Sequence, residues 1–283
     1  YNKPSDNTPY CQNTVIISIN NRGIVNLYGS INLNDTSFIA NVKNDSKIYI
    51  DCVEIQGVSI GNTVNSSNKF YYGGFIGTTF GTIYIGPQVS KICDFAFYNV
   101  TSKIIINNNN VLTEEYNDSS EADGVESNKQ GGTYLIKTPF AKSKFNEIHI
   151  LNCETIGIYA LHSLNSNKLT FYNGGDVFKN DDLEITNNTP LTTLSDYAFY
   201  NSYFSEIIIP KSVNSISDTS FLQTKGSLVL KCNISSYTTT VNQNDHKHTG
   251  ILVNSEFIKI AFDYEGNIPK NILYENKSVI SIE

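Results

Sequence analysis

Short apolar strands recur along the chain, each with one outward residue between two inward residues. This alternation is typical of a β-strand with one buried face. The first residues of successive strands are separated by 35, 21, 44, 21, 38 and 21 positions, which indicates a repeat of about 21 residues interrupted by insertions. The strands are Ile48-Tyr49-Ile50, Ile83-Tyr84-Ile85, Ile104-Ile105-Ile106, Ile148-His149-Ile150, Leu169-Thr170-Phe171, Ile207-Ile208-Ile209 and Leu228-Val229-Leu230.

A large apolar residue precedes each strand by seven to ten positions, and most of these residues follow a small one. A small neighbour leaves room for close approach of the next unit, so we expect each large residue to plug the core from the side opposite the sheet. A strand of three residues cannot bury its inward side chains alone, so the units must stack. The expected plugs are Phe38, Phe75, Phe97, Phe140, Leu161, Phe199 and Phe221.

One unit, from Phe204 through the strand to Ile216 and Phe221, resembles the Treponema pallidum-type, or BspA-like, leucine-rich repeats. The resemblance covers most of residues 30–232 and is clearest over 80–107 and 191–230. It implies a curved parallel sheet, a secreted or cell-surface setting, a role in adhesion or protein binding, and no catalytic residues. We therefore expect an α/β or mainly β solenoid of degenerate leucine-rich repeats, with one regular strand per unit and an irregular return.

Segments that leave the repeat predict the domain organisation. We expect polar, solvated insertions at 107–133 and 172–190 because few apolar residues are available there to offset the entropy of ordering. Ile258-Lys259-Ile260 and Ile280-Ser281-Ile282 lie 22 residues apart and fit further units. The full assignment is an N-terminal cap at 1–30, a solenoid at 31–232 with insertions near 52–70, 107–133 and 172–190, and a C-terminal cap or further degenerate repeats at 233–283.

Composition narrows the class of function. The formal net charge of −7 leaves no basic stripe for nucleic acid, and no apolar run approaches the roughly 20 residues that span a bilayer. A chain without Met that starts at Tyr1 suggests a matured product of secretion. The eight Asn-x-Ser/Thr sequons are compatible with a glycoprotein, but chance predicts about as many in so Asn-rich a chain.

Candidate chemistry is sparse. The five cysteines contain no CxxC pair, and the sequence leaves open whether any of them form disulfides. His246 and His248 are close in sequence, but a pair two residues apart in a polar loop is more typical of a solvated turn than of a zinc site. Neither a Gly-x-Ser-x-Gly elbow nor a phosphate-binding loop is present. We expect no catalytic residues, no metal and no cofactor.

The middle residue of each strand points away from the core and gives a candidate binding surface. Five of these seven residues are apolar or aromatic, which predicts a partly apolar stripe across the sheet. The expected function is protein binding or adhesion outside the cell; the alternatives are self-assembly into a filament, coat or matrix, and a polysaccharide-active parallel β-helix enzyme. The stripe comprises Tyr49, Tyr84, Ile105, His149, Thr170, Ile208 and Val229, with Tyr49, Tyr84 and His149 as anchors.

Overall fold

A computed structural model describes residues 16–19, 25–28, 47–50, 54–55, 79–87, 91–92, 97, 99–109, 112, 139–140, 142–180, 183–237, 240–241, 248–269, 272 and 281–282. Within these residues the chain is mainly β and forms no helix. In chain order the strands are β1 (Ile16–Ile19), β2 (Val25–Tyr28), β3 (Lys47–Ile50), β4 (Glu54–Ile55), β5 (Thr79–Ile85), β6 (Lys91–Ile92), β7 (Thr101–Asn107), β8 (Lys144–Leu151), β9 (Thr155–Ile156), β10 (Asn165–Phe171), β11 (Val177–Asn180), β12 (Leu183–Thr186), β13 (Thr193–Leu194), β14 (Tyr203–Ile209), β15 (Ser215–Ile216), β16 (Lys225–Leu230), β17 (Thr240–Val241), β18 (His248–Thr249), β19 (Glu256–Phe262) and β20 (Ser281–Ile282).

Eleven strands form the main sheet in the order β1-β2-β3-β5-β7-β8-β10-β14-β16-β19-β20. Every neighbouring pair from β2 to β20 is parallel, and β1 is antiparallel to β2. The seven strands expected from the sequence are consecutive in this sheet. Ile83 pairs with Ile104, and Ile207 pairs with Leu228, so the predicted register is confirmed.

The C-terminal strands also join the sheet as further units, and β19 and β20 pair with the expected step of 22 residues. Leu228 pairs with Ile260, and Ile260 pairs with Ile282. Ile260 is therefore the inward residue, and Ile258 is 48% exposed. Ile258 and Ile260 differ in burial because the register shifts between Gly226 and Ser227 of β16, which leaves Ile258 without a partner residue in that strand.

The main core lies on the inner side of the sheet. The inward isoleucine and leucine residues from β5 to β16 are buried, as the alternation predicts. The plugs form the opposite wall: the rings of Phe97 and Phe140 stack with centroids 5.5 Å apart, and those of Phe199 and Phe221 stack at 5.3 Å. These four rings are fully buried and Leu161 is 1% exposed, whereas Phe38 and Phe75 lie outside the described residues.

A left-handed residue follows each described plug by two positions. After Leu161, the N–H of Leu164 donates to Ser202 Oγ at 3.0 Å. In the other five described units the residue after the left-handed one donates its backbone N–H to the carbonyl of the plug and closes a tight turn, as Ser202 does to Phe199 at 3.1 Å. Its side chain can also bind the preceding unit: Ser202 Oγ donates to the carbonyl of Leu161 at 2.6 Å. The left-handed residues are Asn99, Lys142, Ser163, Asn201, Gln223 and, after Leu252, Asn254, with φ between 53° and 59°.

The return from strand to plug is more regular than we expected. Strands β9, β13 and β15 form a second parallel sheet in the order β15-β13-β9, and β4 pairs with β6 in the same way. Leu194 lies between Ile156 and Ile216 in this ladder, and all three side chains are buried. Successive units are therefore bonded along two ladders.

Candidate functional site on the outer face

The face of the main sheet opposite the core is called the outer face here. The predicted middle residues lie in one row across it, because each is in register with the next from Tyr49 of β3 to Val229 of β16. Of Tyr49 only the backbone register beside Tyr84 is described. The row thus forms as predicted, but its members differ in exposure.

The described residues of the 172–190 insertion, 172–180 and 183–190, form a β-hairpin rather than the solvated loop that we expected. Strands β11 and β12 pair antiparallel with Phe178 opposite Ile185, and both side chains are more than nine-tenths buried. Val177, Phe178 and Lys179 alternate in exposure, as do the residues of β12 around Ile185. This alternation around Asn180-Asp181-Asp182 was the sequence signal for a hairpin.

The hairpin packs onto the outer face and covers part of the predicted stripe. Ile105, Leu151, Phe178 and Ile185 form an apolar cluster, here called the outer cluster, that is separate from the main core. Ile105 is fully buried in it, so its assignment to an exposed binding surface was wrong. Tyr84 is partly buried against the same cluster.

His149 is held between the sheet and the hairpin and is only 12% exposed. Its Nδ1 lies 2.8 Å from the Tyr172 hydroxyl, and its Nε2 lies 3.1 Å from Oε2 of Glu147. The Lys103 ammonium lies 2.8 Å from the same carboxylate oxygen. The His149 ring also lies 5.0 Å from that of Phe178, so the side chain is part of the hairpin contact rather than an exposed anchor.

Burial and hydrogen bonding set the protonation states of this group. Burial lowers the pKa of His149 and raises the pKa of Tyr172 to about 12. The hydrogen bonds from Lys103 and then His149 lower the pKa of Glu147 to about 2. A carboxylate, an imidazole and a hydroxyl in series can activate a nucleophile, but a raised pKa makes the Tyr172 hydroxyl harder to ionise. The arrangement fits a structural clamp better than a relay.

Asparagine side chains attach the base of the hairpin to the sheet. Asn187 is 1% exposed, and its Nδ2 donates to the carbonyls of Tyr172 and Asn173 at 2.7 and 3.0 Å. Asn152 accepts from the backbone N–H of Asn188 at 2.6 Å and donates to Asn107 Oδ1 at 2.7 Å. These residues were missed because asparagine is so common in this chain that its positions carry little signal.

The hairpin leaves uncovered the part of the outer face that β14 and β16 form, next to β10. Thr170, Ile208 and Val229 are half-buried there, and the Thr170 hydroxyl itself is fully buried without a hydrogen-bond partner. Lys168 pairs with Glu206 at 3.5 Å on the strands that carry Thr170 and Ile208. This hairpin-free row is the part of the predicted stripe that remains accessible to a partner.

A second group that sequence reasoning missed lies in the turns of two neighbouring units. Tyr159 and Tyr197 stack with centroids 4.8 Å apart, and both have left-handed backbones, with φ of 57° and 55°. His162 is 6% exposed, stacks on Tyr200 at 5.3 Å, and its Nδ1 has no hydrogen-bond partner. Burial lowers the pKa of His162 to about 4. The rings contact one another, which indicates packing between units.

Other reactive groups in the described parts of the chain are held in unreactive states. Cys153 and Cys232 are buried free thiols, and burial raises their pKa values to about 12 and about 11. Among the described residues no three His, Cys, Asp or Glu side chains are grouped closely enough to hold a metal ion. The same residues include no helix of the length and apolarity needed to cross a bilayer.

Comparison with known proteins gives no relative from which to transfer a function. No protein-family model, no curated protein and no solved structure matches the chain.

Proposed function

We propose that the chain is a non-catalytic, extracellular or cell-surface solenoid of the leucine-rich-repeat type that binds a protein partner. The observation that carries the proposal is the coincidence of two periods. A step of 21 residues, from Ile83 to Ile104 and from Ile207 to Leu228, equals a step of one strand in a parallel sheet. Stacked units of this kind present a long continuous surface, which suits a large partner better than a small substrate.

The turns add support for a repeat protein. The left-handed residue, the plug and the turn-closing hydrogen bond recur at the same positions in unit after unit, so the repetition extends beyond the strands. In the family that the sequence resembles, a cysteine often follows the plug region. Ser202 occupies that position here, and its hydroxyl bonds the preceding unit instead.

The hairpin-free row of Thr170, Ile208 and Val229 is the proposed contact surface. Its side chains stand on adjacent strands, about 4.8 Å apart, and the Lys168–Glu206 pair beside them supplies polar contacts at its margin. Among the other apolar members of the stripe, Tyr84 and Ile105 are excluded because the hairpin packs on them, and the side chain of Tyr49 lies outside the described part of the structure.

The test is a double variant, Ile208→Ser with Val229→Ser. The matched control is Val177→Ser with Ile268→Ser, which removes two β-branched side chains that are 43% and 49% exposed elsewhere. Each immobilised protein is incubated with biotinylated cell-surface proteins, and its self-association is measured by sedimentation. We expect a protein retained by the wild type and the control to be retained about tenfold less by the double variant.

Equal retention by a double variant that keeps the wild-type circular dichroism spectrum would contradict the proposed surface. A concentration-dependent increase in mass that the double variant loses would assign the row to self-association instead of a foreign partner.

A further inference from the structure

The hairpin of β11 and β12 is bonded mainly to itself. Its two strands form a sheet of their own and add no strand to the main sheet. Its base is closed by Gly175 N–H donating to the carbonyl of Asn187 and by Asn187 N–H donating to the carbonyl of Asp176, both at 2.8 Å. These backbone bonds do not depend on contact with the sheet.

The apolar contact beneath the hairpin is also separate from the main core. The outer cluster lies across the sheet from the buried residues that hold the units together. The inward side chains of β7 and β8, such as Ile104 and Ile148, pack in the main core whether or not Phe178 and Ile185 cover the outer face. Loss of the outer cluster therefore removes none of the inward packing.

The connection between the hairpin and β10 has the features of a hinge. Gly174 and Gly175 follow Tyr172 and Asn173, and Gly175 has a φ of 88°, which L-residues rarely adopt. A Cβ at Gly175 would meet nothing within 4 Å, so there is open space beside this residue. Side chains, chiefly His149 on Tyr172 and Asn152 on the base, hold the hairpin down.

From these three features we propose that the hairpin is a strap that detaches as a unit while the main sheet stays folded. When closed, it masks an apolar patch formed by Ile105 and Leu151, which His149 and Thr170 separate from Ile208 on the same face of the sheet. Regulation of partner binding by this strap rests on the proposed function, but the detachment does not. Opening enlarges the outer face available to a partner by the surface that the hairpin covers on β5, β7 and β8.

Hydrogen exchange on the full chain tests the detachment. In the wild type we expect amides of Val177–Asn180 and Leu183–Thr186 to exchange about 100-fold faster than those of Tyr203–Ile209, because local opening requires less free energy than unfolding of the sheet. Exchange of both sets at one rate, through the same global unfolding, would overturn the proposal.

Two variants sharpen this test. Phe178→Ala with Ile185→Ala should accelerate exchange in the hairpin at least about tenfold and leave Tyr203–Ile209 unchanged. It should also raise the fluorescence of the dye ANS, because Ile105 and Leu151 become exposed. The control, Lys179→Ala with Glu184→Ala, removes an exposed pair at 3.2 Å and should behave as the wild type does.

Faster exchange across Tyr203–Ile209 in the apolar double variant would contradict independent opening, and unchanged ANS fluorescence would contradict masking. Both measurements use the chain alone, so they distinguish this proposal from the proposed function. If no protein is retained by any variant, partner binding fails while detachment is still decided by exchange.

Discussion

Replacement of the plug Phe221 by alanine tests whether the aromatic column holds neighbouring units together. Phe221 is fully buried. Its ring stacks on Phe199, with centroids 5.3 Å apart and planes 6° apart, and it meets Phe257 edge-on at 5.8 Å. Alanine would leave a cavity between two units that cannot collapse, because the backbone on both sides is fixed by hydrogen bonds such as Phe199 N–H to the Ser220 carbonyl at 3.0 Å.

The expected loss in the free energy of unfolding is about 3–5 kcal/mol, the range for a buried phenylalanine truncated to alanine. The two ring contacts place Phe221 in the upper part of that range, since aromatic pairs contribute about 0.5–1.5 kcal/mol beyond area burial. At about 2 °C per kcal/mol for a chain of this size, the upper part of the range, about 4–5 kcal/mol, corresponds to a fall in the melting temperature of about 8–10 °C.

Thermal melts followed by circular dichroism measure this change. The matched control is Tyr203→Ala, which removes an aromatic ring that is 40% exposed and should shift the melting temperature by no more than about 2 °C. A Phe221→Ala melt within 2 °C of the wild type would refute the reasoning, because the ring would then contribute no packing between units.

Two further predictions concern a buried imidazole and a glycine. Burial lowers the pKa of His162 from 6.5 to about 4, so the folded state disfavours protonation, and the free energy of unfolding should fall by about 3 kcal/mol as the pH drops from above 6.5 to 4. In denaturation curves recorded across that range His162→Gln should show a smaller fall, and an equal fall in the wild type and the variant would contradict this prediction. Gly226 has a φ of 109°, and a Cβ there would overlap the carbonyl of Phe204, so Gly226→Ala should lower the free energy of unfolding, measured with urea, by at least about 3 kcal/mol. The control is Gly174→Ala, whose Cβ would meet Pro190 at 3.8 Å, and similar losses in both variants would contradict the prediction.

The strands and their register could be predicted because two independent periods agree. Ile83 and Ile104 are 21 residues apart, and the alternation within each strand fixes which side chain is inward. Burial of Phe97 and Phe221 follows from the same spacing, since each stands seven positions before the first inward residue of its strand. Where the spacing varied, the prediction was worse: Ile258 is exposed because β19 holds one residue more than β16 in the matching segment.

The second ladder and the hairpin could not be predicted by the same means. Strands β9, β13 and β15 have two residues each, too few for alternation to show. In the hairpin, Phe178 and Ile185 were present as a signal, but Gly, Asp and Asn around them lowered the average apolar content of the segment. Burial of Ile105 depends on that hairpin, so it could not be inferred from β7 alone.

The register shifts in the main sheet determine where a codon can be gained or lost. The stretch from plug to first inward residue holds seven steps from Phe97 to Ile104 but eight from Phe140 to Ile148, and the irregularity between Ser102 and Ile104 absorbs the difference. We expect that deletion or duplication of one residue there converts an eight-step stretch into a seven-step stretch, or the reverse. The inward and outward side chains of the strand then keep their faces. Longer additions have room only after a strand ends, as between Phe171 and the next unit. The hairpin that follows Phe171 shows that an addition at such a place can build new surface on the outer face of the sheet.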